Sequence, residues 1–458
     1  MRLGGPSFWI DTLSPRPAPR AGLSGDRDCD VAIIGAGFTG LWSAYYLKKA
    51  APELRILVLE ARHAGFGASG GNGGWLTGGF AWSHRRYAKD RGEAATRAFV
   101  TAMNATVDEV LRVARDESIE ADILETEELS LATNPAQLAR ITADYAHRSR
   151  WGEEGRLSLL DQVAARARVD VPGLLGALAV QGVARINPAK LVTGLAHAVE
   201  RLGVEILEDT PVTAISPGHL RSERGLVRAG TILRCTEGFT AELAGHKRDW
   251  LPLNSAQIAT APLSAETWAK IGWQGYEIIG DASNLYSYCQ RSADDRLLVG
   301  ARGLPYRWGS RLDPEGVPDP RTIADLRAIL ARLFPSAAEA EITHAWCGSL
   351  GVPRDWCASI GHDRATGIGF AGGYVGVGVS TSNLAGRVLA DLVLGRDTEL
   401  SRLPLVNRKI RRWEPEPIRW LVVRGMYAAL GLADRLEARP GAGPSAVAEW
   451  AYRLGGRS

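Results

Sequence analysis

Cysteine is scarce in this chain of 458 residues: Cys29, Cys235, Cys289, Cys347 and Cys357 are scattered and include no C-x-x-C pair. That pattern offers neither a disulfide framework nor a zinc site, and it fits a reducing cytoplasm. No uncharged apolar run reaches the roughly 20 residues of a transmembrane helix. The stretch 367–395 comes closest, but many glycines with Asn383, Arg387 and Asp391 interrupt it. No charged n-region followed by an apolar h-region opens the chain. An excess of one charge is also missing: 54 basic and 51 acidic residues leave a net charge of +3. Nothing in that balance calls for nucleic acid. Internal repeats, low-complexity tracts, a Ser-His-Asp arrangement, an H-E-x-x-H motif and metal-ligand clusters are all lacking, so no metal is expected. What the chain does have is 45% apolar residues, enough for two closely packed domains or three.

The stretch 30–40, Asp-Val-Ala-Ile-Ile-Gly-Ala-Gly-Phe-Thr-Gly, is the most specific signal. Residues 31–34 read as a buried parallel strand, and Phe38 to Ala50 as a helix. Residues 56–60 read as a second strand ending on Glu60, twenty residues past Gly40. Gly35 permits the tight turn, Gly37 lets backbone approach a pyrophosphate at the helix N-terminus, and Gly40 lets helix and strand pack closely. Glu60 is placed to bind ribose hydroxyls. Strand, glycines, helix and acid at these spacings predict a dinucleotide-binding βαβ unit with Ala36, Phe38, Thr39, Ala61 and Arg62 around the ligand.

The remaining pattern predicts an α/β chain (α+β overall) whose nucleotide domain is discontinuous. Residues 1–28 read as an extended arm. The nucleotide domain is assigned to 29–90, 176–250 and 351–400. Helices over 91–117 and 138–150 place a helical cover at 91–175. Short strands near 256–261, 276–279, 284–290, 296–299 and 342–347, with a helix over 321–333, suggest a second domain at 251–350 built on an antiparallel sheet. Residues 401–458 read as a helical tail, with a helix over 414–436 that packs on the body, lies on a membrane surface or forms an oligomer contact. Its expected apolar face is Ile418, Leu421, Val422, Met426, Leu430, Ala433 and Leu436, with Arg419, Arg424 and Arg435 elsewhere.

Three segments together carry a family resemblance: the first βαβ, the loop Gly67-Ala-Ser-Gly-Gly-Asn-Gly-Gly74, and Gly372-Gly-Tyr-Val-Gly-Val-Gly378 followed by Asn383-Leu-Ala-Gly-Arg387. The chain resembles the FAD-dependent amine and amino-acid oxidases, the family of D-amino acid oxidase, glycine oxidase and sarcosine oxidase. The loop is most similar to that of gamma-glutamylputrescine oxidase-like members, as is the opening Pro6-Ser-Phe-Trp-Ile-Asp11. The resemblance implies an FAD-binding Rossmann-like domain with a substrate domain, and a non-covalent flavin. It adds Gly67, Ala68, Ser69, Asn72, Gly73 and Gly74 around pyrophosphate and flavin, with backbone at positive φ. It adds Val212 and Gly238 near the nucleotide, and Gly373, Gly376, Val377 and Gly378 facing the flavin before a helix over 382–394. Two departures stand out: Gly71 where related enzymes often carry Arg, and Thr236-Glu237-Gly238 where Asn or Gly is commoner at the middle position.

The chemistry implied is oxidation of a C–N bond, with an imine that hydrolyses and O2 as acceptor. Alternatives are a dehydrogenase serving a quinone or electron-transfer protein, an NAD(P)H-dependent monooxygenase and a non-catalytic flavoprotein. No acid–base residue is assigned. The segment 286–291, Tyr-Ser-Tyr-Cys-Gln-Arg, resembles the Tyr-x-x-Pro-Arg segment of glycine oxidase, with Gln290 in place of proline. It makes Arg291 a carboxylate-clamp candidate, with Arg302 as a second candidate. Tyr288 and Trp75 are candidates for lining the pocket, against simple packing. Cys347 follows Trp346 near the position of flavin attachment in some sarcosine oxidases, and a small buried residue is the favoured reading there. The substrate is an amine or amino acid that the sequence does not name.

Overall fold

The computed structural model describes residues 1–80, 84–301, 306–313 and 315–455. Two sheets organise them. In the first, Ser359–Asp363, Ile368–Gly372, Gly225–Arg234, Arg27–Ile34, Ile56–Leu59 and Glu205–Leu207 lie side by side in that order. Every neighbouring pair is parallel except Ser359–Asp363 against Ile368–Gly372. Ala32, Ile33 and Val58 are fully buried, as a strand covered on both faces requires.

The helix Phe38–Ala50 spans the expected residues. It is buried all round because it lies between the parallel sheet and the helices Pro188–Arg201 and Gly378–Val393. A Cβ at Gly386 would lie 2.6 Å from the Cβ of Trp42, so glycine sets the approach of two of these helices. The helix Gly378–Val393 starts four residues earlier than expected. Its first two turns are almost wholly buried, and packing overrides the weak helix propensity of Val379-Ser-Thr-Ser382.

The second sheet runs Arg2–Leu3, Ile342–Val352, Leu251–Thr260, Leu297–Ala301, Ser287–Arg291, Ile278–Asp281, Leu124–Ala132, Gly176–Arg185 and Trp75–Leu76, with Leu157–Leu160 also on Gly176–Arg185. It is antiparallel except where Arg2–Leu3 joins Ile342–Val352 and Ile278–Asp281 joins Leu124–Ala132. Two expectations change here. Residues 91–175 are not simply helical, because Leu124–Ala132 and Leu157–Leu160 are strands of this sheet. Gly176–Arg185, expected in the nucleotide domain, pairs with them antiparallel. The helices expected in 91–175 are present as Glu93–Asp116 and Pro135–Arg148.

The N-terminal arm is more than extended. Arg2–Leu3 adds a strand, and Ser7 caps a short helix Phe8–Asp11 by accepting from Ile10 N. The tail helix Ile418–Glu437 packs on the body. Its buried face is Arg419, Val423, Met426, Leu430, Ala433 and Glu437. Ile418 and Leu421, expected inside, are exposed, while Arg419 is inside, paired with Glu416 at 3.0 Å. Among the described residues no helix is long and apolar enough to cross a membrane, and no cluster of potential metal ligands occurs.

Candidate active site

A cavity of about 640 Å³ is walled by both sheets. Its nucleotide side begins at the turn after Ile34. Glu60 is half-buried at the cavity wall. Its Oε2 accepts from Ala36 N at 2.8 Å and its Oε1 from Arg62 N at 2.9 Å. Burial raises its pKa and these two donors oppose the rise. The carboxylate is thereby fixed at the cavity edge with lone pairs left for ligand hydroxyls. The 38–50 helix starts at Gly37, which has no side chain to cap it. Ser69 Oγ accepts from Phe38 N at 2.9 Å, and the helix N-terminus lines the cavity.

The 67–74 loop owes its shape to its carbonyls. Asn72 Nδ2 donates to Ala68 O and Ser69 O at 3.0 and 2.9 Å, and Ser7 Oγ to Gly70 O at 2.7 Å. Gln257 Nε2 and Trp346 Nε1 donate to Gly71 O at 2.7 and 2.8 Å, and Trp9 Nε1 to Asn72 O at 2.8 Å. With its acceptors turned into protein, the loop presents its other edge to the cavity. The expected run of positive φ is absent from this loop apart from Gly74, at 70°. Gly73 is glycine for space instead, since a Cβ there would lie 2.9 Å from the Tyr288 ring.

A second helix start, Val377–Gly378, has no side-chain cap and closes the opposite side. The turn leading into it hangs on Glu237. Glu237 Oε1 accepts from Gly373 N at 2.8 Å and from Tyr374 N at 2.9 Å, and its Oε2 accepts from Gly351 N. Burial pushes this carboxyl up to about 7, against the pull of those amides. Glu237 thus turns to the backbone amides and the cavity wall.

All the sequence-assigned nucleotide residues line the cavity except Ala36, Gly40, Gly74 and Gly373. Ala36 and Gly373 act one step back, through Glu60 and Glu237. Gly40 packs on Gly35 O, where a Cβ would not fit. Gly74 O accepts from Ile186 N at 2.9 Å.

Beyond the loop, Trp75 and Tyr288 line the wall with ring centroids 6.2 Å apart. The Tyr288 hydroxyl is 2.9 Å from Ser255 Oγ. Arg291 does not reach the cavity. Strand alternation sends Tyr288 and Gln290 to one face and Cys289 and Arg291 to the other. Arg291 donates to Asp295 Oδ1 at 2.6 and 2.9 Å and to Trp273 O at 2.8 Å, between the Trp268 and Tyr276 rings. A carboxylate clamp is not available from a guanidinium so engaged. Arg302 lies outside the described residues. Cys347 faces away from the wall that Gly348 lines and packs on the substrate-sheet core. His344 sits by Asp11, with Nε2 3.2 Å from Oδ2. The wall residues unassigned at the sequence level include the polar Glu128, Arg148, Asp281 and Tyr286. The alternation of Glu128 and Ser130 with buried Leu129 and Leu131 is the signal that marks the first.

These features fit an elongated dinucleotide with a second ring system: two helix N-termini on the cavity wall, an acid held for hydroxyls and a loop with pinned carbonyls. Residues 30–392 match the family model of DAO, FAD dependent oxidoreductase. The chain belongs to this family of FAD-dependent oxidoreductases. It is 31% identical over 386 residues to gamma-glutamylputrescine oxidoreductase of Escherichia coli, covering 82% of this chain and 86% of that one. It is 30% identical over 422 residues to the probable oxidoreductase OrdL of Rhizobium meliloti, covering 87% and 90%. Among solved structures, glycine oxidase from Geobacillus kaustophilus superposes with a TM-score of 0.69 at 21% identity, over 84% of this chain and 100% of the other.

Proposed function

We propose that this oxidoreductase oxidises the C–N bond of an amine or amino acid and passes the electrons to dioxygen. The observation that carries the reading is one cavity with two unlike ends. A nucleotide end built of glycine turns and Glu60 continues past Trp75 and Tyr288 to a polar end at Ser130, Gly280 and Tyr286 on the antiparallel sheet. The relatives named gamma-glutamylputrescine oxidoreductase and, at 25% identity, glycine oxidase support the substrate class.

Bound FAD supplies the acceptor for the hydride that leaves the carbon next to nitrogen. The chain contributes position and charge. The start of Gly378–Val393 favours negative charge that develops beside it. Trp75, Tyr288 and Phe80 present apolar surface that keeps the reacting carbon from water. The imine product is hydrolysed to a carbonyl compound. The five cysteines, none of them in a disulfide, support work in a reducing compartment such as the cytoplasm.

Anaerobic addition of amines and amino acids should bleach the flavin's visible absorbance for one substrate class, and air should restore colour with release of peroxide. Bleaching by NADPH, or by no amine at all, would defeat the proposal. Colour restored only by a dye or quinone would replace the oxidase with a dehydrogenase.

The flavin is held non-covalently, a reading supported by the outward side chain of Cys347, whose thiol burial raises to about 11. Acid precipitation should leave a colourless polypeptide, and Cys347→Ser should keep its flavin content. Colour on the wild-type pellet would refute this.

A further inference from the structure

The polar end of the cavity has an unequal charge account. Four charged side chains form it: Glu128, Arg148, Asp281 and, behind Arg148, Glu153. Asp281 is complete. Its Oδ1 accepts from Ser287 N at 2.8 Å, and its Oδ2 from Ser283 Oγ at 3.1 Å and Arg332 Nη2 at 2.7 Å. Arg148 is also committed. Its Nε and Nη2 both donate to the Glu153 carboxylate at 3.0 Å. Burial works against the Arg148 charge, and Glu153, with Glu128 and Asp144 nearby, more than offsets it. Asp281 and Glu153 thus each have a hydrogen-bonded cation, whereas Glu128 feels Arg148 only through space.

Glu128 is half-buried and lines the cavity. Its hydrogen bond comes from the Thr77 hydroxyl, at 3.0 Å to Oε2. Among the described residues no arginine, lysine or histidine forms an ion pair with it. Burial raises its carboxyl; Arg148 and then the Thr77 hydroxyl oppose the rise, and Asp144 and Glu153 add to it. A buried carboxylate without a cation is costly unless a ligand supplies one.

Its place in the cavity is defined. Thr77 O accepts from Ser380 Oγ at 2.6 Å, in the first turn of Gly378–Val393. Glu128 therefore lies near the Gly376–Gly378 side of the cavity and far along the chain of contacts from Glu60. Ser130 shares its strand face, and Gly280 on the neighbouring strand pairs with Ser130. A Cβ at Gly280 would lie 3.4 Å from the Trp75 ring, so this wall stays open beside the acid.

We propose that Glu128 anchors the positively charged nitrogen of the substrate, so that this end of the cavity selects alkylammonium groups over carboxylates. The inference rests on the amine-oxidising reading and narrows it. An amine enters as its cation, and the ion pair with Glu128 replaces the water that both charges leave behind. The ammonium proton passes to the carboxylate before hydride leaves the adjacent carbon, so that the nitrogen lone pair is free to form the imine.

Tert-butylammonium tests the anchor directly. It has no hydrogen on the carbon beside nitrogen, so the enzyme cannot oxidise it. Pivalate has nearly the same shape with a negative head. Calorimetry of the wild-type holoenzyme should show binding of tert-butylammonium and none of pivalate. Glu128→Gln should weaken the cation by about tenfold or more. Preference for pivalate, or equal affinity of both proteins for the cation, would overturn the anchor. If Glu128→Gln fails to retain flavin, the wild-type comparison of the two probes decides alone. Bleaching of the wild-type flavin by amines is read separately. An anchor that fails while amines still bleach leaves the proposed function standing, and the absence of bleaching removes that function whatever the probes do.

Discussion

Replacement of Glu237 by alanine is expected to give a protein that purifies largely without flavin and unfolds at markedly lower denaturant concentration. The substitution strips the acceptor from three buried amides, those of Gly351, Gly373 and Tyr374. Each orphaned buried donor costs about 1–3 kcal/mol, against a total stability of roughly 5–15 kcal/mol. The turn that loses its anchor is the one that sets Gly376, Val377 and Gly378 on the cavity wall. Flavin content by absorbance and denaturant unfolding measure both effects. A fully loaded variant of wild-type stability would show that the turn holds itself.

The same carboxyl gives the stability a pH dependence of defined sign. Its folded value of about 7 lies above the roughly 4.3 of a free glutamate, so the folded state holds the proton more tightly. The contribution is complete below the unfolded value and is lost as pH rises through the folded one. Wild type should therefore lose stability relative to Glu237→Gln between those two values. A difference that stays constant across the window would contradict the buried assignment.

The second large effect is expected at Glu60. Glu60→Ala removes the acceptor for Ala36 N and Arg62 N and the partner for ribose hydroxyls. Hydrogen bonds to a charged group contribute about 1.5–3 kcal/mol each, so FAD affinity should fall by roughly ten- to a hundredfold or more. Titration of apoprotein with FAD reads this directly, and Glu60→Gln should fall between. An unchanged affinity would end the ribose role for Glu60.

The nucleotide half was legible because its chemistry is local. Gly35, Gly37, Gly40 and Glu60 lie within one βαβ unit, and the 38–50 helix occupies the expected residues. Gly176–Arg185 was assigned to the wrong sheet for a physical reason: an apolar run buried on both faces looks alike in parallel and antiparallel surroundings. Arg291 was legible in principle. Strand alternation that puts Tyr288 on the cavity wall necessarily turns Arg291 away, and family likeness outweighed that simpler rule. Glu128 stayed hidden because the acidic run Glu125, Glu127, Glu128 fell in a segment read as helical. Only the pairing of Leu124–Ala132 with Ile278–Asp281 brings it to the cavity.

The order of strands in the parallel sheet has a consequence for biosynthesis. Arg27–Ile34 pairs on one side with Ile56–Leu59 and on the other with Gly225–Arg234. The first partner follows almost at once. The second emerges some two hundred residues later, roughly 10–40 s at ordinary elongation rates. Until then the apolar edge of Val31 to Ile34 has no neighbour on that side, and such edges invite pairing with other chains. The nascent enzyme is most exposed to aggregation while its most conspicuous motif already lies outside the ribosome.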